Sequence, residues 1–389
     1  MITNLIESFK QVAPDFLNSY CVINGSILEL DKVEKMGYKE FSCQSRLSVP
    51  LKLYKYFPNK EIKENGKSIN YSIQALKNNS VYLQSPILFD DCYDSDISIE
   101  YPVYERITLI KYCGRCGISV NNELTTSEIG NLFFGAIVKS LNEYHNYENI
   151  FSVKPVSEIE KLENKIFCKS LHLEMQKTSD LGKAVSRIIS EEYNDLLLRL
   201  KSFFRVSCFA TTPFSQLMWG GSYADEYRGF CLEYTVLPNN KEFTDIFYNL
   251  FPMIYCKSRK DISAKIIKMK SETISYETLW DIYFHGALRK SIDWAFQNEW
   301  RLLLPLNNKN ESNYNVKFFP ITKVFLGNRM EAYKRKELID ICKEKNIPYI
   351  GVKKNKDFFE MQECETKCEN CPVYIQDLHN AAQNIIGEM

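Results

Sequence analysis

The hydrophobic period of this chain changes twice, and that change restricts the possible architectures more than any single motif does. Leu51-Lys-Leu-Tyr-Lys-Tyr-Phe57 alternates as a strand, and Pro58-Asn-Lys ends it. Ile69, Ile73 and Leu76 then share a helical face before Val81–Gln84 returns to strand. From about residue 120 the period becomes 3.6. Thr125 and Glu128 have capping-box spacing ahead of Ile129, Leu132, Phe133, Ala136 and Ile137. Ser157 and Glu160 repeat the signal before Leu162, Ile166 and Phe167, and a third run extends from Leu181 to Phe203. Strands resume at Arg205–Ala210 and Gly229–Tyr234, with helices near 262–272 and 276–292. Further strands follow at Glu299–Leu304, Lys317–Pro320 and Lys323–Gly327, then a helix at Glu331–Lys345 and a strand at Tyr349–Val352.

Such irregular mixing predicts an α+β fold, with a mixed or antiparallel central sheet flanked by helices and a helical insertion. The expected division is a lead-in with a helix (1–50), a core in two parts (51–110 and 205–355), a mainly helical insertion (111–204) and a cysteine-rich tail (356–389). The leading helix is read from Leu5, Phe9 and Val12.

Forty-nine basic and 49 acidic residues cancel, so no global field favours nucleic acid or an anionic membrane. The first residues lack the pattern of a signal peptide, and no run reaches the roughly 18 apolar residues of a membrane span. A cytoplasmic protein without a membrane partner is expected. Its 13 cysteines, an odd number, are expected to be reduced thiols.

Two segments concentrate polar groups beside apolar strands. One is Val81–Asp94, which ends in Asp90, Asp91 and Asp94; the other is Ser207–Tyr234. Such groups are costly unless they bind something or satisfy one another. With Lys55-Tyr56, Ser85-Pro86, Phe89-Asp90-Asp91, Cys208-Phe209, Met218-Trp219, Tyr223-Ala224, Gly229, Trp294, Glu299-Trp300-Arg301 and Gly327, they form an ordered set of signatures. In that order the chain resembles the bacterial domain-of-unknown-function family numbered twenty-nine seventy-one, over about residues 51–355. The resemblance brings no established activity. Three positions depart from its pattern. Gly220-Gly221-Ser222 stands where a histidine is common, Asp90 replaces an asparagine, and Gln297 replaces an acid two residues before Glu299.

Lys55, Tyr56, Ser85, Tyr223 and Glu299 also resemble, in order, the strand residues of ADP-ribosyltransferases. That likeness implies NAD as the bound nucleotide. A cation would hold ribose or phosphate, an aromatic would stack nicotinamide, and the glutamate would stabilise an oxocarbenium ion. On this reading Glu299, Tyr223 and Ser85 are catalytic. Lys55, Tyr56, Trp219 and Arg301 contact the cofactor. Toxin or phage-defence biology is the setting the resemblance suggests.

Three alternatives stand beside it. Glu299 could instead pair with an arginine to stabilise the sheet. The chain could be a sensor or antitoxin-like module that binds a small-molecule nucleotide or a protein partner. Asp90, Asp91 and Asp94, joined by Glu233 and Glu299, could hold Mg²⁺ for nuclease chemistry, although such acids after a strand are also ordinary turn residues. Trp219, Trp294 and Trp300 read as core aromatics. His145, His172, His285 and His379 read as surface or packing residues on helices.

The tail spacing Cys364-x₃-Cys368-x₂-Cys371, with the knuckle-like Cys113-Gly-Arg-Cys116, suggests a zinc site drawn from these five thiols. Unligated thiols are the plain alternative.

Overall fold

The computed structural model describes residues 16–267, 276–305, 314–370 and 372–387. The expected leading helix at Leu5–Val12 and residue Cys371 lie outside them. The chain forms two compact units: Met1–Tyr93, Phe203–Ser258 and Leu288–Met389 make the first, and Asp94–Ser202 with Arg259–Ala287 make the second. The helical unit thus begins at Asp94 and includes a segment after residue 258 that the sequence reading assigned to the core.

The first unit is built on sheets. Its largest has five strands in the order Met361–Glu363, Tyr349–Lys354, Ile321–Leu326, Phe230–Thr235 and Lys52–Phe57. Only the pairing of Ile321–Leu326 with Tyr349–Lys354 is parallel; the others are antiparallel. Helix Ala332–Glu344 makes the crossover that a parallel pair requires. A three-stranded antiparallel sheet places Trp300–Pro305 between Phe204–Phe209 and Leu250–Pro252. Backbone hydrogen bonds between Tyr54 and Ala210 (2.9 and 2.7 Å) link the two sheets, and Gln84 pairs with Val206 in the same way. The fold is therefore α+β with mixed and antiparallel sheets.

Alternation along Lys52–Phe57 sorts its side chains onto two apolar layers. Leu53 and Phe57 join Phe209, Trp300, Leu302 and Phe318. Tyr56 joins Trp219, Cys231, Phe325 and Met361 on the other face. Two glycines explain why the layers close. A β-carbon on Gly229 would lie 2.1 Å from the Phe57 carbonyl oxygen, and one on Gly327 would lie 2.1 Å from that of Tyr227. Backbone takes the place of side chain there, with the Gly327 amide donating to the Gly229 carbonyl at 3.0 Å.

The second unit packs helices Tyr101–Arg115, Thr126–Tyr144, Glu158–Lys177 and Leu181–Ser202. Thr125 and Glu128 form a reciprocal capping box, and Ser157 accepts from the Glu160 amide at 3.1 Å. Tyr112 sits 5.3 Å from Phe133 and 4.6 Å from Phe167 between ring centroids. Phe167 is buried, whereas Leu162 and Ile166 face solvent at 57% and 54% exposure. The expected helix at 276–292 is shorter. Tyr276–Ile282 widens into a π-turn at Tyr283–Ala287, where Gly286 packs so closely on Ile97 that a β-carbon would fall 2.6 Å away. Arg289–Ser291 is then a strand of the first unit, parallel to Ile254–Cys256.

Candidate functional site

Two strands and a turn of the first unit assemble a cluster of charged and polar side chains. Lys55 lies on the face of its strand shared with Leu53, and its Nζ donates to Ser207 Oγ at 3.1 Å and the Cys208 carbonyl at 3.0 Å. The ammonium also lies 5.2 Å from the centroid of the Phe209 ring. Burial pushes its pKa below the usual lysine range, while nearby Cys208 and Glu299 act in the opposite direction.

Glu299 enters from the turn before Trp300–Pro305. The 3₁₀ helix Ile292–Gln297 ends at Asn298 in the left-handed region (φ 41°), tied to Thr211 Oγ1 at 2.6 Å. The Glu299 amide donates to the Tyr255 hydroxyl at 2.8 Å and its carbonyl accepts from Met253, so its backbone is fixed on both sides. Its carboxylate accepts from Arg301 Nε at 2.6 Å and from Lys290 Nζ at 3.5 Å. All three groups are nearly withdrawn from solvent. The Arg301 guanidinium is fully buried over the Phe89 ring, 5.7 Å from its centroid, so it orients Glu299 from within the protein.

Tyr223 reaches the cluster from the Ser222–Ala224 turn. Asp225, Glu226 and Tyr227 follow with φ of 48°, 53° and 71°, an uncommon run for residues other than glycine. Hydrogen bonds from the Tyr227 amide to the Trp219 carbonyl (2.8 Å) and from the Gly229 amide to the Ala224 carbonyl (2.8 Å) hold it. Tyr223 is 39% exposed and its hydroxyl accepts from Gln297 Nε2 at 2.8 Å. Gln297 Oε1 in turn accepts from Lys290 Nζ at 3.0 Å. Desolvation raises the Tyr223 pKa against the pull of Lys290. Lys290 also sits 5.0 Å from the Trp294 ring centroid.

Glu299 is thus joined to Arg301 and Lys290, and Lys290 through Gln297 to Tyr223, with Tyr255 and half-buried Trp294 beside them, while Lys55 bonds Ser207 and Cys208 and feels the charge of Glu299. The sequence reading missed Lys290 because it placed residues 276–292 in one helix; the basic pair Arg289-Lys290 before a turn was the available signal. Ser85 is buried and caps the turn Pro86–Leu88, accepting from the Ile87 amide at 3.4 Å; that turn leads to Phe89.

Tyr56 and Trp219 lie elsewhere. They pack edge to face at 5.4 Å on the opposite side of the sheet from Lys55, with the Tyr56 hydroxyl on the Thr212 carbonyl and the Trp219 indole on that of Pro213. Successive residues of a strand cannot share a face, so Lys55 and Tyr56 do not converge. Asp91 accepts from the Tyr93 amide as a turn residue, exposed Asp90 lies beside it in sequence, and buried Asp94 accepts from Ser95 Oγ at 2.9 Å. Glu233 lies on the sheet's Tyr54 side, bound by Lys52 (2.6 Å), Thr322 (2.8 Å) and Tyr54 (3.2 Å).

Among the described residues no three or more His, Cys, Asp or Glu side chains are grouped to hold a metal ion. Cys113 lies in the last turn of a helix rather than in a knuckle, with its thiol 3.7 Å from the Ile129 carbonyl, and Cys116 lies against that of Ile150. Burial pushes the Cys116 thiol up to about 12. Cys364 and Cys368 bracket Gly351; a β-carbon there would lie 3.2 and 3.0 Å from their sulfurs.

Residues 218–302 match the family described as a protein of unknown function, DUF2971. The matched segment belongs to that family. It contains Tyr223, Lys290, Gln297, Glu299 and Arg301, so most of the cluster falls inside the DUF2971 region, whereas Lys55 and Ser85 precede it. No curated protein and no solved structure matches the chain. No helix among the described residues is long and apolar enough to cross a membrane.

Proposed function

We propose that this DUF2971 protein is a cytoplasmic, NAD-using enzyme of the ADP-ribosyltransferase or NAD-glycohydrolase class, with Glu299 as its catalytic carboxylate. The supporting observation is the connection of Glu299 through Lys290 and Gln297 to Tyr223, with Trp294 against Lys290 and Lys55 within electrostatic reach of Glu299. Two lysines suit the phosphates of a dinucleotide, and the Tyr223 and Trp294 rings suit a base or nicotinamide. Glu299 would accept a ribose hydroxyl and stabilise positive charge at the anomeric carbon as the glycosidic bond breaks. Nicotinamide leaves with the bonding electron pair. Water or an acceptor hydroxyl attacks the same carbon and loses its proton to solvent. Arg301 holds the carboxylate in place.

Purified protein incubated with NAD should release nicotinamide, scored by chromatography, and Glu299→Gln should abolish release while retaining the fold. No release together with no thermal shift on adding NAD overturns the reading.

A second reading, a nucleotide-binding module without turnover, is favoured by the ion pairs that already engage Glu299 with Arg301 and Lys290. It expects a thermal shift with NAD and no nicotinamide, both in the wild type and in Glu299→Gln.

A further inference from the structure

Helix Glu158–Lys177 of the second unit completes its packing on one side only. Phe167, Cys168, Leu171 and Glu174 are buried, and Glu174 is held there by Lys177 at 2.5 Å and Arg187 at 3.2 Å. The opposite side carries Ile159, Leu162, Ile166 and Leu173, which are 38–57% exposed. Ile159, Ile166 and Leu173 follow one another at intervals of seven residues, and Leu162 stands three after Ile159. The four therefore form a single row along the helix, about 20 Å long at its rise per residue. Scattered aliphatics on a surface need no explanation, but an aligned row does. Helix propensity does not supply one, since β-branched isoleucine favours a helix less than lysine or glutamate does.

Unmatched positive charge borders this row. Lys165 lies three residues after Leu162, and Lys169 lies three after Ile166 and four before Leu173, so both flank the aliphatic side chains. Both lysines are exposed, and neither has an ionic or hydrogen-bonding partner among the described residues. The other charges near the row are already matched. Lys161 pairs with Glu158 at 3.6 Å, and Glu163 is bound by Lys111 at 2.9 Å and by Arg115.

We infer that this face docks an acidic amphipathic helix of a partner protein. A seven-residue interval is the repeat at which two helices keep a common seam, and the row supplies the apolar side chains for one. Lys165 and Lys169 call for carboxylates beside the apolar positions of the partner. A second copy of this chain fits less well, because it would bring the same two lysines while its nearby acids are engaged. A lipid surface would satisfy the lysines but has no use for the seven-residue register. The inference is independent of any chemistry at Glu299.

The test titrates the full chain into a labelled synthetic helix of about three heptads, with leucine along its seam and glutamate on the flanks, followed by fluorescence anisotropy. It should bind with a Kd below about 100 µM. A twin peptide with lysine in place of glutamate should bind about tenfold more weakly or worse. The double variant Leu162→Ala, Ile166→Ala should weaken the acidic peptide by about tenfold or more. Its circular dichroism and melting should be unchanged, because both side chains are exposed and alanine favours helix. Lys165→Glu with Lys169→Glu should reverse the preference between the two peptides. No binding of the acidic peptide at that concentration, equal binding of the twins, or a Kd unmoved by the alanine pair overturns the inference. Two further results also overturn it by giving the face another occupant. One is a dimer in analytical ultracentrifugation that the alanine pair abolishes; the other is sedimentation with phosphatidylcholine–phosphatidylserine vesicles that the same pair abolishes.

Discussion

Replacing Glu299 by Gln is expected to lower stability by about 3 kcal/mol, apart from any effect on chemistry. Arg301 is fully buried and both Lys290 and Glu299 are nearly so. Removing one member of a buried ion pair costs about 3–5 kcal/mol, because the remaining charge keeps its desolvation penalty without the compensating attraction. Gln retains an acceptor for Arg301 Nε, which puts the expected loss at the lower end of that range. Near 2–4 °C per kcal/mol for a unit of this size, the melting temperature should fall by about 6–12 °C. Arg301→Met should cost a similar amount. The double variant should be more stable than the sum of the singles by about 2 kcal/mol, since the Glu299–Arg301 attraction is lost once rather than counted twice. Denaturant unfolding followed by tryptophan fluorescence reads this directly, because Trp300 is fully buried between the two residues in sequence. Single losses below about 0.5 kcal/mol, or a double variant equal to their sum, would refute the claim that the pair is energetically coupled.

Other outcomes follow from the same contacts. Gly229→Ala should prevent folding of the first unit, seen as insoluble protein or loss of a cooperative melt, since its new carbon meets the Phe57 carbonyl at 2.1 Å. Burial opposes ionisation of Glu233, but bonds from Lys52, Thr322 and Tyr54 outweigh it and hold the pKa below the ordinary 4.5. Its contribution to stability is therefore complete above 4.5 and lost as pH falls through the depressed value. Glu233→Gln should flatten the acid limb of a stability–pH curve below 4.5. The zinc reading of the sequence bears on the tail thiols, of which Cys364 and Cys368 bracket Gly351. Elemental analysis finding less than about a tenth of an equivalent would retire that ligand set, given the affinity of structural sites.

The candidate cluster was only partly legible. Glu299 and Lys55 stood out as charges on strands, and Tyr223 as an aromatic in a polar turn. Lys290 did not, because a π-turn and a short strand replaced what reads as continuous helix over 276–292. Tyr56 was misplaced for a different reason. Adjacency in sequence suggested a shared role with Lys55, whereas the pleat sends neighbours to opposite faces. Leu162 and Ile166 satisfy a helical period with Phe167, yet only Phe167 is buried. Periodicity marks a helix but does not say which of its apolar sides meets another element.

Local patterns alone determined the kinds of element. Capping boxes, alternation and turn residues act over a few positions, so the strands around residues 55, 207, 232 and 302 and the helices Thr126–Tyr144, Glu158–Lys177 and Leu181–Ser202 could be read directly, whereas Tyr101–Arg115 was not. Which strands pair, and which side chains therefore meet, depends on contacts between distant segments, such as Asn24 with Trp300, 276 positions apart. Those pairings are set by the joint packing of both apolar faces and by close backbone approach at Gly229 and Gly327.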